Sequence, residues 1–125
     1  MKTKHILLVE DDMGMREVLR DILEDEGFEI TTAENGKVAL TQIENYHFDL
    51  VLTDLKMPQM DGIEFMEYIE KNHPETKVVV ITAYGGKDNY TQAKYLGAFE
   101  VLSKSIRVEE LKKVINDVLH RKDET

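Results

Sequence analysis

Short apolar runs of strand length recur along the chain, and longer segments with helically spaced apolar residues separate them. Most of these runs are nearly continuous in Val, Ile and Leu, which is typical of parallel strands that are buried on both faces. One run, residues 28–32, alternates apolar and polar positions and therefore predicts a half-exposed edge strand. In chain order, the five predicted strands cover residues 6–9, 28–32, 50–53, 77–81 and 101–103.

Apolar residues three and four positions apart predict a helix after each strand. In the first helix, Asp12 can cap the start and Gly27 ends the helix. A turn is predicted at residues 35–36, and the fourth helix, about residues 87–96, has only a thin apolar stripe. The stripes of the first and last helices are formed by Met15, Val18, Leu19, Ile22 and Leu23 and by Val108, Leu111, Ile115, Val118 and Leu119.

Regular alternation of strands and helices predicts an α/β fold with a parallel sheet that is covered on both faces. For five strands, the flavodoxin-like (βα)5 doubly wound arrangement with strand order 2-1-3-4-5 is the natural choice. The 125 residues suit one domain, residues 1–125. In this order the switch point lies between the first and third strands, where ligands of such sheets bind.

The charge balance narrows the classes of partner. The chain has 25 Asp and Glu residues against 16 Lys and Arg residues, a formal net charge of −9. We therefore expect no direct contact with nucleic acid or with anionic membranes, which both need a basic surface. The chain has no cysteine, which excludes a disulfide scaffold and thiol chemistry. Its first apolar run is too short for a signal peptide or a membrane span, so we expect a cytoplasmic protein.

Carboxylates follow the two strands that flank the predicted switch point. The first strand ends in Glu10, Asp11 and Asp12, and the third ends in Asp54. Carboxylates crowded into one crevice repel each other, and a hard divalent cation such as Mg²⁺ relieves that repulsion. A carboxylate beside Mg²⁺ can attack phosphorus and form an acyl phosphate. The pattern therefore indicates a magnesium-dependent phosphoryl site at this edge of the sheet.

Two further residues complete the proposed chemistry. Thr82 ends the fourth strand and Lys104 follows the fifth, so a hydroxyl and a cation stand at the same edge. Each residue also has a structural interpretation: the acids as a helix start, Asp54 as a turn residue, Thr82 as a helix cap and Lys104 as a surface lysine. Because all of these residues stand at the ends of the inner strands, the functional interpretation is favoured over the separate structural ones. The four histidines are scattered without ligand spacing, and we interpret them as structural or surface residues.

With these residues assembled, the chain resembles the receiver domain of two-component response regulators over essentially its whole length. It is especially similar to free-standing phosphorelay receivers and to receivers of nitrogen-regulator-type activators. The resemblance implies the CheY-like version of the flavodoxin-like fold. The segments that carry it are residues 9–12, 53–62, 82–85 and 97–99, the last leading to Lys104.

The resemblance also implies a metal site and a phosphorylation site. Asp54 would be the phosphoacceptor and a ligand of Mg²⁺. Glu10 and Asp11 would be the acidic pair, with Asp11 the more direct metal ligand, and Asp12 would be an extra acid beside the site. The backbone carbonyl of Lys56 would complete the protein ligands.

Around the phosphoryl group, the resemblance implies that Thr82 bonds it and that Lys104 pairs with it. Two positions depart from the family's usual pattern. Val101 stands where the family usually has an aromatic residue that turns inward, and valine has no comparable swing. Ser105 stands where the family usually has a proline, often in a cis bond. A cis bond before a residue other than proline costs about 2.5–4 kcal/mol, so we expect a trans bond and a shifted loop.

As partners, the resemblance implies a histidine kinase or histidine phosphotransfer protein as donor, and a downstream effector domain or protein. The chain is either complete or a receiver excised from a longer protein. The surface expected to meet the donor comprises Met13, Gly14, Met15, Val18 and Ile106.

Two other functions would use part of the same pattern. A magnesium-dependent phosphatase with an aspartyl nucleophile would need a second acid where Lys56 stands. An interaction module that is never phosphorylated would not need the acids, Thr82 and Lys104.

Overall fold

The computed structural model describes residues 3–54, 62–83 and 87–120. In this part of the chain, five parallel strands form one sheet in the order β2-β1-β3-β4-β5, which confirms the predicted order. The strands are β1 (His5–Val9), β2 (Glu29–Ala33), β3 (Leu50–Thr53), β4 (Lys77–Thr82) and β5 (Glu100–Ser103). The helices are α1 (Met13–Asp25), α2 (Gly36–Asn45), α3 (Gly62–Asn72), α4 (Lys87–Tyr95) and α5 (Val108–His120).

Alternating side chains of the strands build a separate core on each face of the sheet. In β1, Leu7 and Val9 pack with α2, α3 and α4, whereas Ile6 and Leu8 pack with α1 and α5. Every residue of β3 is fully buried, as a central strand requires. In β2 only Ala33 is buried, as expected for an edge strand. The doubly wound α/β architecture follows from these two faces.

Side chains predicted at a helix start and at a turn cap the first two helices. Asp12 caps α1 as predicted, because its carboxylate accepts the backbone N–H of Met15 at 2.7 Å. The turn predicted at Asn35 and Gly36 is the start of α2: the Asn35 side chain accepts the N–H of Val38 at 2.8 Å. Asn suits both a turn and a helix cap, so the two are hard to separate by sequence. No helix in the described ranges is long and apolar enough to cross a membrane.

Candidate functional site

The strand register sets the candidate residues side by side at the carboxyl edge of the sheet. Val9 pairs with Thr53, so Glu10 and Asp54 each come one residue later on neighbouring strands. Thr82 pairs with Ser103, which places Lys104 next to the end of β4. Parallel strands end at the same edge, so four separate stretches of sequence meet in one place.

The Lys104 ammonium lies between two buried carboxylates. Its Nζ is 2.7 Å from Glu10 Oε1 and 2.8 Å from Asp54 Oδ2. Glu10 is only 1% exposed and Asp54 6%, whereas the Lys104 side chain is 19% exposed. In such a poorly hydrated place, hydrogen-bonded ion pairs are strong and each unpaired charge is costly. Lys104 is thus the cation that balances the two acids.

The pKa values of both Glu10 and Lys104 are raised in the folded protein. Burial raises the pKa of Glu10 above its ordinary value, and the lowering effects of Lys104 and of the Asp12 N–H do not cancel it. Burial would lower the pKa of Lys104, but its bonds to Asp54 and then to Glu10 outweigh burial and raise that pKa. Lys104 therefore stays charged at neutral pH, and the site still favours additional positive charge near Glu10.

The turn between β1 and α1 is held in place by its own side chains. The Arg16 guanidinium donates to the Glu10 carbonyl at 2.8 Å, and the Asp12 N–H donates to Glu10 Oε2 at 3.2 Å. The Asp12 carboxylate is engaged with the N–H of Met15, whereas Asp11 is exposed at the rim. This arrangement gives Asp12 a capping task and leaves Asp11 accessible. The contact of Arg16 could not be predicted from the sequence, because a hydrogen bond to a backbone carbonyl six residues away leaves no local pattern.

Thr82 is the last residue of β4 and is 1% exposed. Its carbonyl accepts the backbone N–H of Lys104 at 3.0 Å. The predicted pair of hydroxyl and cation, Thr82 and Lys104, is therefore linked through the main chain.

The peptide bond between Lys104 and Ser105 is trans, as predicted for a residue other than proline. Val101 is half-buried and packs against the core formed with α2, α3 and α4.

The residues of the site suit a hard cation. Glu10 Oε1 is buried and makes no hydrogen bond of good geometry within the described ranges, although it lies close to Lys104 Nζ. Carboxylate oxygens of Glu10, Asp11 and Asp54 are the donors that Mg²⁺ prefers. Among the described residues no three His, Cys, Asp or Glu side chains stand close enough to form a complete metal cluster. The fourth expected ligand, the carbonyl of Lys56, lies outside the described residues.

An apolar groove borders the site on the side of α1 and α5. It has a volume of about 110 Å³, and its lining includes Val18, Ile81, Lys104 and Ile106. Of the apolar residues expected to meet a donor, Met13 is 64% and Val18 54% exposed. Met15 and Ile106 are half-buried and pack against the core. The exposed part of this surface is therefore smaller than the sequence suggested.

The chain is similar to known proteins of one family over most of its length. The family model of the response regulator receiver domain matches residues 6–116. Sporulation initiation phosphotransferase F of Bacillus subtilis is 34% identical over 119 residues, which cover 95% of this chain and 96% of that protein. Transcriptional regulatory protein GlrR of Escherichia coli is 35% identical over 120 residues, or 96% of this chain. The chain spans only 27% of the length of GlrR.

Solved structures show the same likeness. A CheY-like receiver domain protein from Methanospirillum hungatei superimposes with a TM-score of 0.90 at 33% identity, covering 94% of each chain. Response regulator protein TrrA from Thermotoga maritima, solved in complex with Mg²⁺ and BeF, gives a TM-score of 0.85 at 35% identity. That match covers 93% of this chain and 99% of TrrA.

Proposed function

Because the chain belongs to the response-regulator receiver family, we propose that it accepts a phosphoryl group on Asp54 and thereby switches its binding to a downstream partner. The donor is a histidine kinase or a histidine phosphotransfer protein. The observation that carries this proposal is the contact of Lys104 Nζ with Asp54 Oδ2 at 2.8 Å, at the buried end of the central strand. A carboxylate in that position is buried, oriented and next to a cation.

The residues of the site divide the reaction among them. A carboxylate oxygen of Asp54 attacks the phosphorus, and the bond from phosphorus to the donor's histidine nitrogen breaks, leaving its electron pair on the imidazole. Lys104 neutralises charge on the phosphoryl oxygens, and the Thr82 hydroxyl donates to one of them. Attack by water on phosphorus later breaks the bond from phosphorus to the Asp54 oxygen, which releases inorganic phosphate and returns Asp54 to its carboxylate form. The chain thus catalyses only its own modification, and it is not an enzyme in the usual sense.

A divalent cation suits the acids beside Asp54. Glu10, Asp11, Asp54 and the carbonyl of Lys56 would hold Mg²⁺, and Mg²⁺ would supply positive charge next to the phosphoryl oxygens. The burial of the Glu10 carboxylate beside Asp54, with Lys104 as the cation of both, supports this assignment, because the two acids carry more negative charge than one ammonium balances. A phosphatase acting on other molecules is disfavoured, because Lys56 stands where such an enzyme needs its second acid.

The relatives support a place in a relay of phosphoryl groups. The likeness to sporulation initiation phosphotransferase F covers nearly all of both chains, whereas GlrR is a much longer transcriptional regulator. We expect the phosphorylated form to act on an effector domain or a partner protein. The acidic surface argues against direct contact with nucleic acid or membranes.

The test is mass spectrometry of the intact protein after incubation with acetyl phosphate and Mg²⁺. We expect one phosphoryl group per chain, sensitive to hydroxylamine as an acyl phosphate is, and none on Asp54→Asn. The matched control is Asp49→Asn, which changes an aspartate at the opposite end of β3 and should label like the wild type. Phosphorylation of Asp54→Asn, or equal labelling in excess chelator, would overturn the proposal.

A further inference from the structure

Lys104 lies in a tight turn that continues β5. The carbonyl of Ser103 accepts the N–H of Ile106 at 3.0 Å, so residues 103–106 form a four-residue turn with Lys104 second and Ser105 third. The main chain of Lys104 is also tied to Thr82. The path of this turn therefore decides where the Lys104 side chain starts and whether its ammonium reaches Asp54.

The hydroxyl of Ser103 spans this turn. Its Oγ accepts the backbone N–H of Ser105 at 3.2 Å and lies 2.8 Å from Ser105 Oγ, with either hydroxyl able to donate. Ser103 and Ser105 are exposed, whereas Lys104 between them is half-buried. Two hydrogen bonds thus converge on one oxygen on the solvent side of the lysine.

This arrangement depends on the residue that follows the lysine. Proline has no N–H to donate, and in the third position of a turn it is disfavoured in type I and requires a cis bond in type VI. Ser105 supplies both the N–H and a second hydroxyl, and its bond to Lys104 is trans. The chain therefore closes the turn with hydroxyl hydrogen bonds instead of a proline ring.

We propose that Ser103 is a positioning residue: its hydroxyl holds the 103–106 turn so that the Lys104 ammonium stays in place for the phosphoryl group on Asp54. This proposal rests on the proposed function. Ser103 does not touch the phosphoryl group, and it acts through the geometry of Lys104. Loss of its hydroxyl should weaken the contact of Lys104 with a bound phosphoryl group. It should not weaken the binding of Mg²⁺, because Lys104 and Mg²⁺ balance the same acids.

The experiment measures binding of beryllofluoride, a phosphoryl mimic, in the presence of Mg²⁺, and separately the binding of Mg²⁺ alone. For Ser103→Ala we expect beryllofluoride affinity to fall about three- to tenfold, the range for one or two exposed hydrogen bonds, with no loss of Mg²⁺ affinity. Ser103→Thr keeps the hydroxyl and should restore the affinity. Ser105→Ala keeps the N–H donor and should lose less than Ser103→Ala.

A hydroxyl elsewhere on the surface provides the matched control. The exposed Thr41 donates to the carbonyl of Lys37 on α2, a helix that contributes no residue to the site. Thr41→Ala should therefore bind beryllofluoride like the wild type. A merely structural role for Ser103 would lower the urea midpoint and Mg²⁺ affinity together, and that result would overturn the proposal. Wild-type affinity for beryllofluoride in Ser103→Ala, or no recovery in Ser103→Thr, would overturn it as well. If the wild type itself bound no beryllofluoride, both this proposal and the proposed function would fail.

Discussion

The backbone N–H of Lys104 donates a hydrogen bond to the carbonyl oxygen of Thr82 at 3.0 Å. This bond joins the two strands that supply the hydroxyl and the cation of the proposed phosphoryl site. A change in the position of Thr82 therefore acts directly on the main chain that carries Lys104. The coupling is local, because it crosses only one pair of neighbouring strands.

Replacing Lys104 by methionine should destabilise the metal-free protein. The substitution keeps the length of the side chain but leaves the buried carboxylates of Glu10 and Asp54 without their cation. We expect the free energy of unfolding to fall by about 1.5–3 kcal/mol, the range for hydrogen bonds to charged groups. Urea unfolding in chelator measures this change.

Lys112→Met is the control for this substitution, since among the described residues Lys112 forms an ion pair only with the exposed Glu109, at 3.8 Å. Its cost should stay below about 1 kcal/mol. Added Mg²⁺ should recover part of the stability that Lys104→Met loses, because a cation again balances the acids. Equal stability of Lys104→Met and the wild type would contradict the view that Lys104 neutralises the site.

Magnesium should stabilise the wild type, and Asp11 should matter more than Asp12. Binding to the folded state alone adds about 2.7 kcal/mol at a hundredfold excess over the dissociation constant. Asp11→Asn should keep the fold and lose most of the affinity for Mg²⁺. Asp12→Asn removes one charge from the same turn but keeps a good helix cap, so its affinity should stay near that of the wild type. Melting curves across a Mg²⁺ titration measure both the gain in stability and the affinity of each variant. A melting temperature that does not change with Mg²⁺ would count against the metal site.

Glu10 should make the metal-free protein less stable as the pH rises. Its pKa is raised in the folded state, so the folded protein holds this proton more tightly than the unfolded chain does. The free energy of unfolding must then fall as the pH rises from the ordinary value of 4.5 through the raised pKa. Glu10→Gln has no proton to lose, and its stability should fall less steeply over this window.

Urea unfolding at a series of pH values in chelator tests this difference. Glu17→Gln, on the exposed surface of α1, is the control and should keep the wild-type slope. Glu10→Gln should also bind Mg²⁺ more weakly. Together, the two results would show that Glu10 lowers the stability of the metal-free protein and raises its affinity for Mg²⁺. An unchanged slope in Glu10→Gln would refute the assignment of the pH dependence to this residue.

The strand order and the meeting of strand ends could be predicted because alternating strands and helices permit few topologies. Contacts made by long or flexible side chains could not. The bond from Arg16 to the Glu10 carbonyl and the hydroxyl pair of Ser103 and Ser105 depend on backbone positions that only the folded chain defines. In α3, Ile63 is half-buried and packs against the core, and Phe65, two positions later, is fully buried, because a helix between the sheet and solvent buries a wide stripe of its surface.

Val18 should matter for the protein donor and not for a small-molecule donor. It is 54% exposed on α1 and lines the apolar groove beside Lys104. Val18→Ser should slow phosphotransfer from the histidine-bearing donor about five- to tenfold, which corresponds to roughly 1–1.4 kcal/mol at an interface. Labelling by acetyl phosphate should be unchanged, since that molecule needs no docking surface.

Tyr46 is 63% exposed at the end of α2 and provides the control, so Tyr46→Ser should behave like the wild type with both donors. Met15→Ala and Ile106→Ala are less selective probes, because both side chains also pack against the core. If Val18→Ser accepted phosphoryl groups from the donor at the normal rate, the donor would have to bind elsewhere.

The switch should act through the end of β4 and through α4, with little movement at residue 101. The new phosphoryl oxygens are strong acceptors and should draw the Thr82 hydroxyl toward them. Of its described side chains, those of residues 91–95, α4 buries only Ala93 completely, so this part of the helix adds little buried surface to the core. Gly85 and Gly86, which lie outside the described residues, should make the connecting loop easy to bend.

Val101 should not follow this movement, because its short, β-branched side chain already packs against the core and has few rotamers. Amide chemical shifts recorded with and without beryllofluoride should therefore change most around Thr82 and along α4, and the methyl signals of Val101 should change little. Val101→Tyr restores a ring that can turn, and it should alter partner binding more than the extent of phosphorylation. A large movement of β5 around a still Thr82 would show that the coupling runs in the opposite direction.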